Sequence, residues 1–198
     1  MDRNEILNEM KMTYKELVAY LLNKYGSAKY DYFRTESCKS KNPKNSRGKE
    51  GLDCHHIDED KAILLANPRH ALKNPFAYQK ADRLVYCNHL EHFLLHVKIV
   101  EEPRNSQANE RELPGIGGAV NFLCPQLNDI YNGYVYTREW EIVGANLVKD
   151  NFDEYILILQ HLWDIIQANE EYSKRISKHL LCIGYDREPI KKISKLLK

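Results

Sequence analysis

The chain has 198 residues, 43 % hydrophobic and 29 % charged, the make-up of a soluble globular protein, and at this length roughly 70 % of the unfolded surface can be buried. Its longest apolar run, Leu17 to Leu22, falls far short of the roughly 20 residues that cross a bilayer, so no membrane span is expected. The polar start Met1-Asp2-Arg3-Asn4-Glu5 has no secretory leader, which makes a cytoplasmic location the expectation.

Five cysteines (Cys38, Cys54, Cys87, Cys124, Cys182) without a C-x-x-C pair argue against a disulfide scaffold or a four-cysteine zinc module, so reduced thiols are expected. The net charge of +1 hides an asymmetry. Residues 1 to 50 carry 11 Lys/Arg against 7 Asp/Glu, and residues 174 to 198 carry 8 against 2, while the segment between them is acidic. Two basic ends suggest a polyanionic partner such as nucleic acid, whose condensed counterions lysine and arginine release; plain solubility is the other reading.

In chain order, residues 4 to 25 place Ile6, Leu7, Met10, Tyr14, Leu17, Val18, Leu21 and Leu22 at helical spacing before Gly26, predicting one long amphipathic helix. From Lys39 to Gly51 there is no large apolar residue, which predicts a basic, mobile loop. Leu52 to Ile57 and Arg83 to Cys87 read as two strands joined by a long excursion, and Asn88 to Val100 as a helix. Leu113-Pro114-Gly115-Ile116-Gly117-Gly118 lacks the Gly-Lys-Ser/Thr of a phosphate-binding loop, and Val120 stands where a dinucleotide fingerprint needs glycine. It reads as a tight turn using glycine's positive φ. Asp153 then caps an apolar helix through Tyr155, Ile156, Leu159, Leu162, Trp163 and Ile166, and helices over about 171–182 and 187–197 complete the chain.

Six of the eight histidines fall between residues 55 and 96. His55 and His56, adjacent on a strand, point to opposite faces and must do different work. His89, His92 and His96 lie on or near one face of the following helix. A strand and a helix can thus bring imidazoles to one point, as metal-assisted phosphodiester hydrolysis requires. One neutral imidazole takes a proton from water, and others hold a divalent cation on the scissile phosphate.

The run Gly51-Leu52-Asp53-Cys54-His55-His56-Ile57, the strand Leu84-Val85-Tyr86-Cys87 and the helix opening Asn88-His89-Leu90-Glu91-His92 resemble the HNH endonucleases of the His-Me finger (ββα-metal) group over roughly residues 51 to 99. The resemblance implies His56 as general base, with His55 and His92 as ligands of one Mg2+ or Mn2+ ion, and His89 or His96 as the alternative helix ligand. Two departures stand out. The asparagine that orients the catalytic imidazole in that family is replaced by Arg83, preceded by Asp82, so Asp82, Asn67, Asn74 or the backbone would have to serve. The stapling C-x-x-C pairs are missing too, so structural Zn2+ is not expected.

Such a finger is too small to hold DNA alone. Lys39, Lys41, Lys44, Arg47 and Lys49, just before the His-His strand, are expected to clamp the backbone. Lys191, Lys192 and Lys195 line the outer face of the last helix of a candidate helix-turn-helix. The expected fold is α+β: an N-terminal helix and basic loop (1–50), a ββα-metal core (51–100) and a helical C-terminal region (101–198). The expected activity is metal-dependent cleavage of DNA in a restriction, phage-defence or mobile-element setting. An RNA-cleaving nuclease and a non-catalytic helical nucleic-acid-binding or interaction protein with a structural metal remain the alternatives, and a homodimer stays open.

Overall fold

The computed structural model describes residues 3–102 and 114–182, together with 195 and 197. It is a mixed protein, mostly helical, with one two-stranded antiparallel sheet. The single long helix expected at the start is two helices, α1 (Arg3–Glu9) and α2 (Tyr14–Tyr25). The break has a local cause. Thr13 Oγ1 accepts from the Glu16 backbone N–H at 3.3 Å, and the Glu16 carboxylate accepts from the Thr13 N–H at 2.9 Å. This reciprocal capping box satisfies two orphan donors and so marks a helix start.

Residues 39–51 are ordered by local hydrogen bonds that need no apolar core. Pro43–Asn45 and Gly48–Glu50 form 3-10 turns, and isolated bridges join Phe33 to Lys41 and Arg47 to Leu52. Asn45, only 3 % exposed, donates to the Tyr30 and Asp31 carbonyls at 2.6 and 3.0 Å, fastening the loop to the segment before it.

Strands β1 (Asp53–His56) and β2 (Leu84–Cys87) pair antiparallel, with Asp53 opposite Cys87 and His56 opposite Leu84. Directly opposed residues share a face. One face therefore carries Asp53, His55, Val85 and Cys87, and the other Cys54, His56, Leu84 and Tyr86. The first packs on α4 (His89–Glu101) and the main core. The second packs on Leu52 and Ala28 in a smaller cluster. Cys54 and Cys87 point to opposite sides, so they cannot share a zinc ion.

The excursion between the strands contains α3 (Pro68–Ala71) and three 3-10 turns. Helix α4 starts at a second capping box, Asn88 with Glu91, and runs through the centre of the core. Against it pack α5 (Ile116–Gly118), which continues as a π-helical turn over Ala119–Leu123, then α6 (Cys124–Tyr131), α7 (Glu139–Val148) and α8 (Phe152–Ala168). Tyr155, Ile158, Leu159, Leu162 and Ile166 of α8 are fully buried, as the apolar pattern implies, although that helix is entered from Asn151 and Asp153 lies in its first turn. The helix expected over 171–182 is parted into α9 (Glu170–Arg175) and α10 (Lys178–Leu181) by an extended Ile176. The last expected helix, with Lys191 and Lys192, lies outside the described residues. Among the described residues no helix is long and apolar enough to cross a membrane.

Candidate functional site

Strand alternation and helical spacing build the site. Asp53 and His55, two apart on β1, both face α4, where His89, His92 and His96 follow at intervals of three and four. The ring centroids of His55, His92 and His96 lie 5.1 Å from one another in all three pairs, and their candidate ligand nitrogens are all within 4.8 Å of each other. His55 and His96 are 1 % and 5 % exposed. His92, with a side chain 19 % exposed, is the most open of the three.

Each imidazole is held by an acceptor on its outer side. The Tyr14 hydroxyl donates to the Ile57 carbonyl at 2.8 Å, so toward His55 Nε2, 3.0 Å away, it acts as acceptor. His55 therefore carries its proton on Nε2 and leaves Nδ1 bare, and that Nδ1 is a buried atom with no hydrogen-bond partner. His92 Nδ1 donates to Asp53 Oδ2 at 3.0 Å, and His96 Nδ1 donates to the Gly115 carbonyl at 3.0 Å. With Nδ1 so engaged, Nε2 is the nitrogen that either ring can offer to an ion. A ring nitrogen bonded outward to a fixed acceptor, with the other left free, is the way a protein prepares imidazole for a metal.

Burial alone would raise Asp53, but hydrogen bonds from His89 and His92 outweigh it and hold the carboxyl well below its ordinary range. The His89 bond is 2.8 Å long, and Gln126 Nε2 donates to the other nitrogen of that ring at 3.2 Å. His89 thus orients Asp53 and lies outside the triad. Burial drives His55 far below the usual imidazole value, so the ring is neutral.

Glu59 completes the cluster. Its Oε2 lies 3.3 Å from His96 Nε2 and 3.7 Å from His55 Nδ1. Burial would raise it, yet the adjoining His96 imidazole, followed by those of His55 and His56, holds it well below the carboxylate norm. An anionic oxygen facing two bare nitrogen lone pairs is repulsive unless a cation or a proton on His96 stands between them. The turn that carries it is stapled by buried Asp58, which takes two bonds of 2.6 Å from Arg83 and one of 2.6 Å from Lys61. Arg83, at the position where the resemblance wants asparagine, therefore holds the Glu59 turn. Asp82 is exposed on the turn Ala81–Arg83, and no bond joins it to the histidines.

Comparison of the chain with known protein families, characterised proteins and solved structures finds no match.

His56 points to the opposite face of the sheet from His55. Its Nε2 donates to Gln79 Oε1 at 2.9 Å, while Gln79 Nε2 donates to the Leu65 carbonyl at 3.2 Å, which fixes the amide's orientation. Burial holds His56 below the usual imidazole value, opposed by the Glu59 charge. It is a neutral ring with Nδ1 bare. Tyr32 packs on it at 4.3 Å between centroids, and Lys41 Nζ stands 5.2 Å from the Tyr32 ring. Lys39, Lys41, Lys44 and Lys49 are exposed, and among the described residues none forms an ion pair. Arg47 differs. Its guanidinium binds Glu50 and the Tyr25 carbonyl and lies over the Tyr86 ring, so it braces the loop. Lys195 is exposed.

Sequence reading left out Asp53, Glu59, Gln79, Tyr14 and Gly118. Asp53 had a readable signal, standing two residues before His55 on the same strand face. Gly118 matters by what it lacks: a Cβ there would strike the His96 imidazole.

Proposed function

We propose that the chain is a metal-dependent endonuclease of the HNH type, hydrolysing phosphodiester bonds in nucleic acid, with DNA as the expected substrate. The observation that carries this reading is the convergence of three outward-anchored imidazoles and Glu59 on one point, on a strand–strand–helix frame whose next strand residue is a neutral histidine. In this reading His55, His92 and His96 hold the ion, with Glu59 beside them. Of the two ions expected from the sequence, three nitrogen donors favour Mn2+, because Mg2+ prefers oxygen and water. The bound ion would supply charge to offset that of the scissile phosphate and the leaving oxygen.

The remaining work falls to side chains. His56 accepts the proton of the attacking water at its bare Nδ1, and Gln79 holds the ring and its tautomer. Asp53, His89 and Tyr14 keep the ligand rings in place. The unpaired lysines at 39, 41, 44 and 49 supply the positive field that draws in a polyanion.

The test is cleavage of single-stranded and supercoiled circular DNA by purified protein. Cutting with Mn2+ that EDTA abolishes supports the reading. Stoichiometric Mn2+ binding with no cutting of DNA or RNA would replace it with a binding protein that carries a structural metal.

A further inference from the structure

The unpaired lysines do not stand alone, and their neighbours describe the kind of strand they meet. Lys44 Nζ lies 5.1 Å from the centroid of the Tyr30 ring, and Lys41 Nζ lies 5.2 Å from that of Tyr32. Tyr30 is 42 % exposed, whereas Tyr32 beside it is half-buried and Phe33 fully buried. The main chain that carries both rings is held in place. Tyr32 N donates to the Gln79 carbonyl at 2.7 Å, Asn42 N donates to the Tyr32 carbonyl at 2.7 Å, and Asn45 binds the Tyr30 carbonyl. The segment that carries both tyrosines is pre-set, and the Tyr32 ring packs on His56 with centroids 4.3 Å apart.

The reactive groups lie below this surface. His55 and His56 are each 1 % exposed, and His96 is 5 % exposed. A duplex is stiff over roughly 150 base pairs and presents its phosphates on a rod, which does not bend into a recess without a deformation cost. A single strand turns freely, and its unstacked bases can lie on an aromatic ring while lysines follow the phosphates.

We infer that the Tyr30–Lys44 and Tyr32–Lys41 corner binds an unpaired polynucleotide strand, stacking a base on Tyr30 and leading the adjoining phosphate past Lys41 toward His56. The inference rests on the nuclease reading and names its substrate class: a single-stranded or locally unpaired nucleic acid. DNA and RNA share this chemistry.

The experiment is fluorescence anisotropy in EDTA, so that binding is read without hydrolysis, using labelled oligothymidylate, oligouridylate and a duplex of equal length over a range of salt. Both single strands are expected to bind roughly tenfold or more tightly than the duplex. Whichever of the two is preferred names the natural strand. Tyr30→Leu is expected to weaken single-strand binding roughly tenfold and leave the salt slope unchanged. Lys41→Gln with Lys44→Gln should flatten that slope by about 0.7 for each phosphate no longer neutralised. Duplex binding equal to or tighter than single-strand binding would overturn the proposal, as would unchanged single-strand affinity in a folded Tyr30→Leu protein. The two readings fail separately. Strands that bind but are never cut with Mn2+ leave the surface standing and remove the nuclease, whereas duplex cutting that depends on His56 without single-strand preference does the reverse.

Discussion

Tyr14 and His55, 41 positions apart, are joined by a 3.0 Å hydrogen bond in which the tyrosine oxygen accepts the imidazole Nε2–H. Because the tyrosine's own proton goes to the Ile57 carbonyl, the bond decides that His55 turns a bare Nδ1 toward His92 and His96. Helix α2 thus sets the protonation pattern of a histidine on β1. The core residue Tyr14, 2 % exposed, is a determinant of the site.

Removing that hydroxyl is expected to loosen the ion before it loosens the fold. Tyr14→Phe frees His55 to rotate or change tautomer, so Mn2+ affinity should fall roughly tenfold or more, the usual effect of losing an outer partner of a ligating imidazole. Stability should fall by about 1 kcal/mol for the missing bond to Ile57. Isothermal titration with urea unfolding separates the two effects.

Gly118 and Gly117 provide a matched pair. A Cβ at 118 meets the His96 imidazole, whereas one at 117 comes no nearer than 3.8 Å, to the Asn121 amide. Gly118→Ala is expected to displace His96, cost about 1–3 kcal/mol as an overpacked site, and remove metal binding. Gly117→Ala should leave Mn2+ titration unchanged.

Much of the frame was legible from the sequence, and the rest was hidden for physical reasons. The strands Asp53–His56 and Leu84–Cys87 and helix His89–Glu101 follow from short runs of β-compatible residues and from helical spacing, and these local signals sit on adjacent residues. The break at Thr13 was written in the sequence as Thr-x-x-Glu, but the hydrophobic period runs through it and masks the cap. Gln79 and Glu59 belong to irregular turns without periodicity, so only the packing of Leu65, Asp58 and Arg83 places them. His96 was weighed only as an alternative, because the spacing of His89, His92 and His96 does not say which pair meets the strand. The approach of His55 to the His92 and His96 rings, with His89 bonded to Asp53 and Gln126 instead, decides it.

A pH dependence is expected from a second buried cluster, where α1, α2 and α4 meet. Glu9, fully buried, faces Glu91, Lys24 and Glu5, with Tyr20 and Tyr25 beside them, and burial followed by the Glu91 charge pushes its carboxyl up to about 8 from 4.5. The folded protein keeps this proton where the unfolded chain has lost it. Stability therefore falls as pH rises from about 4.5 toward 8, by on the order of 5 kcal/mol for this group alone. Urea unfolding at pH 5 and pH 9 should show most of that loss in the wild type and a much flatter response in Glu9→Gln, which ought to be the more stable of the two at pH 9.

Gln79 is expected to act on turnover through His56. Gln79→Leu removes the acceptor that fixes the His56 tautomer and should lower kcat roughly tenfold or more with KM little changed. Gln79→Asn or Gln79→Glu, which keep an oxygen acceptor, should recover part of it. A parallel change in KM would indicate a displaced binding surface.

The most direct measurement is the single-turnover cleavage rate of His56→Ala at saturating Mn2+, taken alongside its Mn2+ isotherm and that of His96→Ala. The expected result is that His56→Ala binds one Mn2+ per chain like the wild type yet cuts on the order of 10²- to 10⁴-fold more slowly, while His96→Ala loses the ion. Cleavage by His56→Ala at the wild-type rate, or no Mn2+ bound by the wild type because a proton on His96 already joins it to Glu59, would contradict the assignment of this histidine cluster as a metal-dependent nuclease centre.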